Sequence, residues 1–216
     1  MAFYGYCGPT SILYILKQTV RELRASLQKN GKGEKGNKGK KGNGSARHAS
    51  QLAGVAGRGN GGSKGSLTKR ETYKELAKKN KIYALLLYLP TVNYLGDKLN
   101  TSEKLGTQPE DMVRLLKRLG YKVRVREEAT WAELKKAVDD DQKQVLVDWW
   151  TDIGDPGEDL GHYSVVTRIS SKTLTIYDPD INKKRVLGKN TFLERWHDVR
   201  ADGRKMLSWM CEIKHT

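Results

Sequence analysis

Apolar residues recur at Ile12, Ile15, Leu16, Val20, Leu23 and Leu27, the spacing of one helical face. Pro9 suits a first helical turn, where its missing N–H costs nothing. A helix is therefore expected to begin at or just after Cys7 and to fray near Gln28. Tyr73, Leu76, Ala77 and Ile82 mark a second helix over Leu67 to Lys81 with a basic outer face. The apolar run Tyr83 to Tyr88 extends that helix or forms a short buried piece, and Pro90 ends it. A linker through Gly96 and Asn100 follows. Thr107-Gln108-Pro109-Glu110 reads as a helix start with Thr107 as N-cap. Met112, Leu115, Leu116 and Leu119 then share a face, and Gly120 stops the helix. Thr130 and Glu133 cap a further helix, Trp131 to Val138.

The polar–apolar period then changes from helical to alternating. Tyr121 to Arg126 is expected as a strand with Tyr121, Val123 and Val125 inward. Gln144 to Trp150 and Gly161 to Ile169 are mostly apolar strands. Thr173 to Tyr177 and Lys184 to Val186 form a hairpin turned by Asp178-Pro179-Asp180-Ile181-Asn182. A short helix, Phe192 to Trp196, and a strand, Leu207 to Ile213, complete the pattern. Helices precede antiparallel strands, which is an α+β layout with an N-terminal helical part packed on a C-terminal sheet.

Composition modifies this picture in one segment. Residues 30–66 are rich in Gly and Lys and nearly devoid of apolar residues outside Leu52 to Val55. Glycine entropy and like-charge repulsion make a disordered insertion the expectation. The rest, within residues 1–216, reads as one domain. The insertion holds eight Lys and Arg against one Glu, nearly half of the net charge of +15. That charge implies a weak polyanion or nucleic-acid contact through the insertion, which has no aromatic residue for base stacking. The alternative is a solvated insertion between helices. No stretch reaches transmembrane length, and no signal-peptide pattern precedes Cys7. The expectation is a cytoplasmic protein, or a secreted one if a signal segment upstream of Met1 has been removed. Two cysteines, Cys7 and Cys211, make no disulfide framework and no zinc site. Neither a cofactor nor a metal is expected.

Three residues carry candidate chemistry. Cys7 opens the first helix, where unpaired N–H groups and the helix dipole stabilise a thiolate. His162 starts an apolar strand in Gly161-His162-Tyr163-Ser164-Val165-Val166, and Asp178 ends the next in Ile176-Tyr177-Asp178-Pro179-Asp180. Pairing of those strands brings His162 and Asp178 to neighbouring sheet ends, facing Cys7 across a cleft. A thiolate–imidazolium pair oriented by a third group is a nucleophilic centre. Taken singly, each has a plainer reading: a buried apolar cysteine, a structural histidine, a turn aspartate. Asp152, Asp155, Glu158 and Asp159 precede His162 as a solvated loop or as carboxylates that favour a basic substrate residue. Trp149, Trp150, Trp196 and Trp209 are core or cleft-wall residues.

Cys-Gly-Pro-Thr-Ser with its aliphatic helix, Gly-Thr-x-Pro-Glu-Asp with a helix ending Leu-Gly-Tyr, Gly-His-Tyr-Ser-Val-Val and Tyr-Asp-Pro-Asp together resemble the bacteriocin-processing peptidase family. These are papain-like cysteine peptidases that cleave after double-glycine leaders. The resemblance covers nearly the whole chain except Asn30 to about Gly65. It implies a papain-like fold, a peptide or protein substrate, Cys7 as nucleophile, His162 as general base and acid, and Asp178 as the orienting residue. Met1 stands where the family has a glutamine that completes the oxyanion hole. Loss of one such donor lowers turnover on the order of 100- to 1000-fold, with the Cys7 N–H, Tyr4 or Tyr6 as remaining donors. The expected function is a cysteine peptidase acting through a thioester. The alternatives are a catalytically weakened peptide-binding module, a thioester acyltransferase, and a polyanion-binding protein acting through the insertion.

Overall fold

The apolar face of the first helix is matched by the burial of its residues. In the computed structural model, which describes residues 6–32, 69–102, 106–151, 161–200 and 202–215, helix α1 spans Cys7–Lys32. Ile12, Ile15, Leu16, Val20 and Leu23 are all buried. The helix continues to Lys32 instead of fraying near Gln28. Helix α2 (Lys69–Lys79) has no buried residue. The following apolar run forms a short 3-10 helix, Lys81–Leu86, started by Asn80, whose side chain accepts a hydrogen bond from the Ile82 N–H.

The expected linker through Gly96 is instead helix α3, Val92–Lys98. Thr91 caps it by accepting from the Tyr94 N–H at 3.2 Å. Gly96 concealed this helix in the sequence, because glycine disfavours helix interiors. Here it makes room: a Cβ on Gly96 would stand 3.0 Å from the Tyr6 ring. Helix α4 runs Pro109–Arg118, with Gln108 rather than Thr107 at its N-cap position. The Thr107 hydroxyl is engaged elsewhere, 2.7 Å from the Thr101 hydroxyl.

Strand β1 (Tyr121–Arg126) and helix α5 (Trp131–Val138), with the full Thr130–Glu133 capping box, fall where expected. Strands β2 (Gln144–Trp150), β3 (Gly161–Ile169), β4 (Thr173–Asp178) and β5 (Lys183–Gly188) follow. Helix α6 is Lys189–Arg195, earlier than the Phe192 start expected. The expected last strand is two elements. Strand β6 (His197–Val199) pairs with β7 (Lys205–Leu207) as a separate hairpin. Ser208, with φ +44, turns the chain into β8, Met210–His215.

The main sheet has the order β1-β8-β2-β3-β4-β5, every neighbouring pair antiparallel. Val125, expected inward, is 41% exposed because β1 is the sheet edge and its far end lies beyond the cover of the helical part. One core packs α1, α3 and α4 against residues such as Leu146, Val165 and Ile213. A second lies on the opposite face, where α5 and α6 cover Val147, Trp149, Leu174 and Ile176. The helices and antiparallel sheet make the α+β arrangement expected, with the N-terminal helical part packed on the sheet. Among the described residues no helix is long and apolar enough to cross a membrane. Cys7 and Cys211 are both free and buried. Most of the Gly/Lys-rich insertion (residues 33–66), Met1, Tyr4 and the carboxylates of residues 152–159 lie outside the described residues.

Candidate active site

Cys7 is the first residue of α1 and is buried. Two contacts fix this helix end. The Ser11 hydroxyl donates to the Tyr163 carbonyl at 3.0 Å, tying the second turn of α1 to β3 one residue beyond His162. Gly8 lies flush against Thr107, whose hydroxyl a Cβ would meet at 2.6 Å. The helix therefore sits too close to the strands for a side chain at position 8.

His162 is buried at the start of β3. Its Nε2 lies 3.0 Å from Asp178 Oδ1, and the edge of Trp149 packs near its ring, 5.9 Å between centroids at 74°. Trp149 is held by its own indole N–H, which donates to the Ser164 hydroxyl at 3.0 Å. Asp178, fully buried at the end of β4, also accepts the Asp180 N–H at 3.1 Å through Oδ1, and Arg185 Nη1 is 3.7 Å from its other oxygen. The Asp180 carboxylate comes back over the ring, with Oδ2 3.4 Å from His162 Nδ1.

Burial alone would discharge the imidazole. The hydrogen bond to Asp178, the hydrogen bond and charge of Cys7, and the charge of Asp180 overcome it and raise the His162 pKa to about 10. Burial would likewise raise the Asp178 pKa, yet the hydrogen bond and charge of His162 hold it below the usual carboxylate value. Burial pushes Asp180 upward against the pull of His162. The environment is one that keeps His162 charged. His162, Asp178 and Asp180 each bring a nitrogen or oxygen ligand atom within 4.8 Å of the others. Cys7, His162 and Asp178, expected together from sequence, are brought together.

Three residues at the site were not assigned from sequence. Asp180 stands in the turn motif, where the sequence alone predicts no contact with the ring. Asp148 sits mid-strand in β2 with no exposure. Neither of its oxygens meets a donor in hydrogen-bonding geometry, although the Tyr163 hydroxyl and the Asp198 carboxyl lie beside it. Burial, then the charges of Asp198 and Cys7, push its pKa well above the ordinary value. The visible signal was one carboxylate inside the apolar run Val145 to Trp150. Asp198, on β6, lies flush against Gly161, where a Cβ would collide with its carboxylate, and it accepts from the Trp150 indole N–H at 3.3 Å.

The family described as the peptidase C39 family matches residues 90–201. That span is more than half of the chain and contains His162 and Asp178; Cys7 precedes it. The chain belongs to the peptidase C39 family, a class of cysteine peptidases. A solved structure similar to this chain is the peptidase domain of ComA, a bifunctional ABC transporter of Streptococcus involved in a quorum-sensing pathway. It is 20% identical, with 67% of this chain and 88% of that one covered and a TM-score of 0.44. No curated protein matches the chain.

Proposed function

We propose that the protein hydrolyses peptide bonds with Cys7 as nucleophile, His162 as acid and base, and Asp178 as the group that orients the ring. The Cys7 sulfur attacks the peptide carbonyl carbon, forming a C–S bond. His162 gives its proton to the departing amine as the C–N bond breaks. Water then attacks the thioester, His162 takes a proton from it, and the carboxylic acid product leaves with the thiolate restored. The Cys7 backbone N–H, at the first position of α1, has no intrahelical acceptor and is the donor available to the oxyanion.

The observation that carries this reading is the His162 environment: Nε2 lies 3.0 Å from Asp178 Oδ1, and Cys7 stands near enough for its charge to favour the charged ring. A structural histidine has no need of a thiol at a helix start. Cys211 supplies an internal control, because it is fully buried in β8 and burial pushes its thiol up to about 12. Iodoacetamide at neutral pH is expected to alkylate Cys7 well before Cys211. A peptide bearing a double-glycine site is expected to be cleaved by the native protein and left intact by Cys7→Ala. Equal labelling of the two thiols, or cleavage by Cys7→Ala, would contradict the reading.

A further inference from the structure

His162 has a second carboxylate that the mechanism above leaves unused. Asp178 Oδ1 takes the Nε2 side of the ring at 3.0 Å, and Asp180 Oδ2 faces the Nδ1 side at 3.4 Å. The chain makes this geometry locally. Asp178 accepts the Asp180 N–H across Pro179 at 3.1 Å, closing an Asx-type turn that directs Asp180 back toward the strand end. The Tyr177 hydroxyl donates to the Asn182 side chain at 2.5 Å, and Asn182 takes the left-handed conformation at φ +51, so the turn is fixed at its far side as well. The Asp180 side chain is 39% exposed, whereas the His162 side chain is buried.

With Asp178 bonded at Nε2 and the Asp180 carboxylate facing Nδ1, the ring is best matched as the imidazolium, in which both nitrogens carry protons. A neutral imidazole would leave one lone pair facing a carboxylate. Among the described residues, the charged and titratable groups around this ring are Cys7 from α1, Asp178 from the end of β4 and Asp180 from the turn. Arg185 of β5 faces Asp178, at 3.7 Å, and Trp149 of β2 adds an uncharged edge. Among these groups, nothing cationic opposes Asp180 at the ring.

We propose, resting on the Cys7–His162 reading, that Asp180 is a positioning residue for the proton-transfer step: its carboxylate, 3.4 Å from His162 Nδ1, acts through its charge and holds the ring as an imidazolium beside Cys7. Nδ1 is the nitrogen left over once Nε2 is bonded to Asp178. It is therefore the one that must exchange a proton between sulfur and leaving amine. Asp180 keeps that proton on the ring between turnovers and preserves the opposite charge that Cys7 needs as a thiolate. Asp178 sets the ring's direction, and Asp180 sets its charge.

The test is an NMR titration of the His162 imidazole in the full chain, comparing the native protein with Asp180→Asn and Asp180→Glu, alongside the pH dependence of Cys7 alkylation by iodoacetamide. Asp180→Asn keeps the side-chain size and removes the charge. It is expected to lower the His162 midpoint by about one pH unit, roughly tenfold in proton affinity, the lower end for an opposite charge at this range because the site is partly exposed. The upper pH limit of the thiolate–imidazolium pair, read from alkylation, is expected to fall with it, and Asp180→Glu to restore both. A purely structural turn residue would move neither midpoint. An unchanged His162 midpoint in Asp180→Asn overturns the role given to Asp180, even where Cys7 is alkylated preferentially. A shifted midpoint together with equal alkylation of Cys7 and Cys211 overturns instead the peptidase reading on which that role rests.

Discussion

Replacing Asp148 with asparagine is expected to make the protein more stable as pH rises, relative to the native chain. Asp148 has no exposure, neither of its oxygens meets a donor, and its nearest charged neighbours, Asp198 and Cys7, are anions or potential anions. Each of these favours the neutral acid, with burial the largest. The native pKa is thus raised above the unfolded value near 4. Over that interval the folded state holds a proton that the unfolded chain has released, so stability is fullest below about pH 4 and falls as pH rises toward the folded-state pKa. The slope for one group is at most about 1.4 kcal/mol per pH unit. The amide of the variant does not titrate, and its own burial penalty is constant with pH. The stability gap between Asp148→Asn and native protein should therefore widen as pH rises above about 4, until it levels off at the folded-state pKa of Asp148. Urea unfolding followed by tryptophan fluorescence at several pH values measures this directly, with equal m-values confirming that the unfolded states match. Parallel stability curves for the two proteins would refute the reasoning, since they require Asp148 to titrate alike in folded and unfolded chains.

Asp178→Asn should preserve the shape of the site and remove the charge at Nε2, lowering turnover by about 100- to 10,000-fold; native-like turnover would show that Asp178 is only a turn residue. Gly8→Ala should destabilise the fold by about 1–3 kcal/mol, because Thr107 is buried, bonded to Thr101 and unable to swing away from a Cβ 2.6 Å from its hydroxyl. A urea midpoint unchanged in that variant would mean that α1 can lift from its neighbours.

Elements governed by local chemistry were legible in the sequence. The Thr130–Glu133 capping box, the apolar face of α1 and the turn between β4 and β5 depend on residues within a few positions of one another. So did the His162–Asp178 pairing, once two adjacent strands were recognised. What escaped was decided by distant residues. Helix α3 was hidden by Gly96, whose purpose is to admit Tyr6 from far earlier in the chain. Thr107 looked like an N-cap because its partner, Thr101, is not visible in the cap pattern. Val125 alternates correctly yet is exposed because β1 is an edge, a property of strand order. The same holds for Asp148: only the β2–β3 register sets it opposite Tyr163.

The position of β8 in the sheet has a temporal consequence. This strand, last in chain order among those described, lies between β1 and β2 and pairs with both. Tyr121 must wait for His215, and Gln144 for Ile213. During synthesis the thiol-bearing helix emerges before the strands, while the sheet on which it packs has a gap until residues 210–215 leave the ribosome. Long-range pairing of this kind is slow to form. A nascent chain therefore carries its cysteine without the continuous sheet that supports the site until β8 has emerged, and the site is assembled only when translation has passed β8.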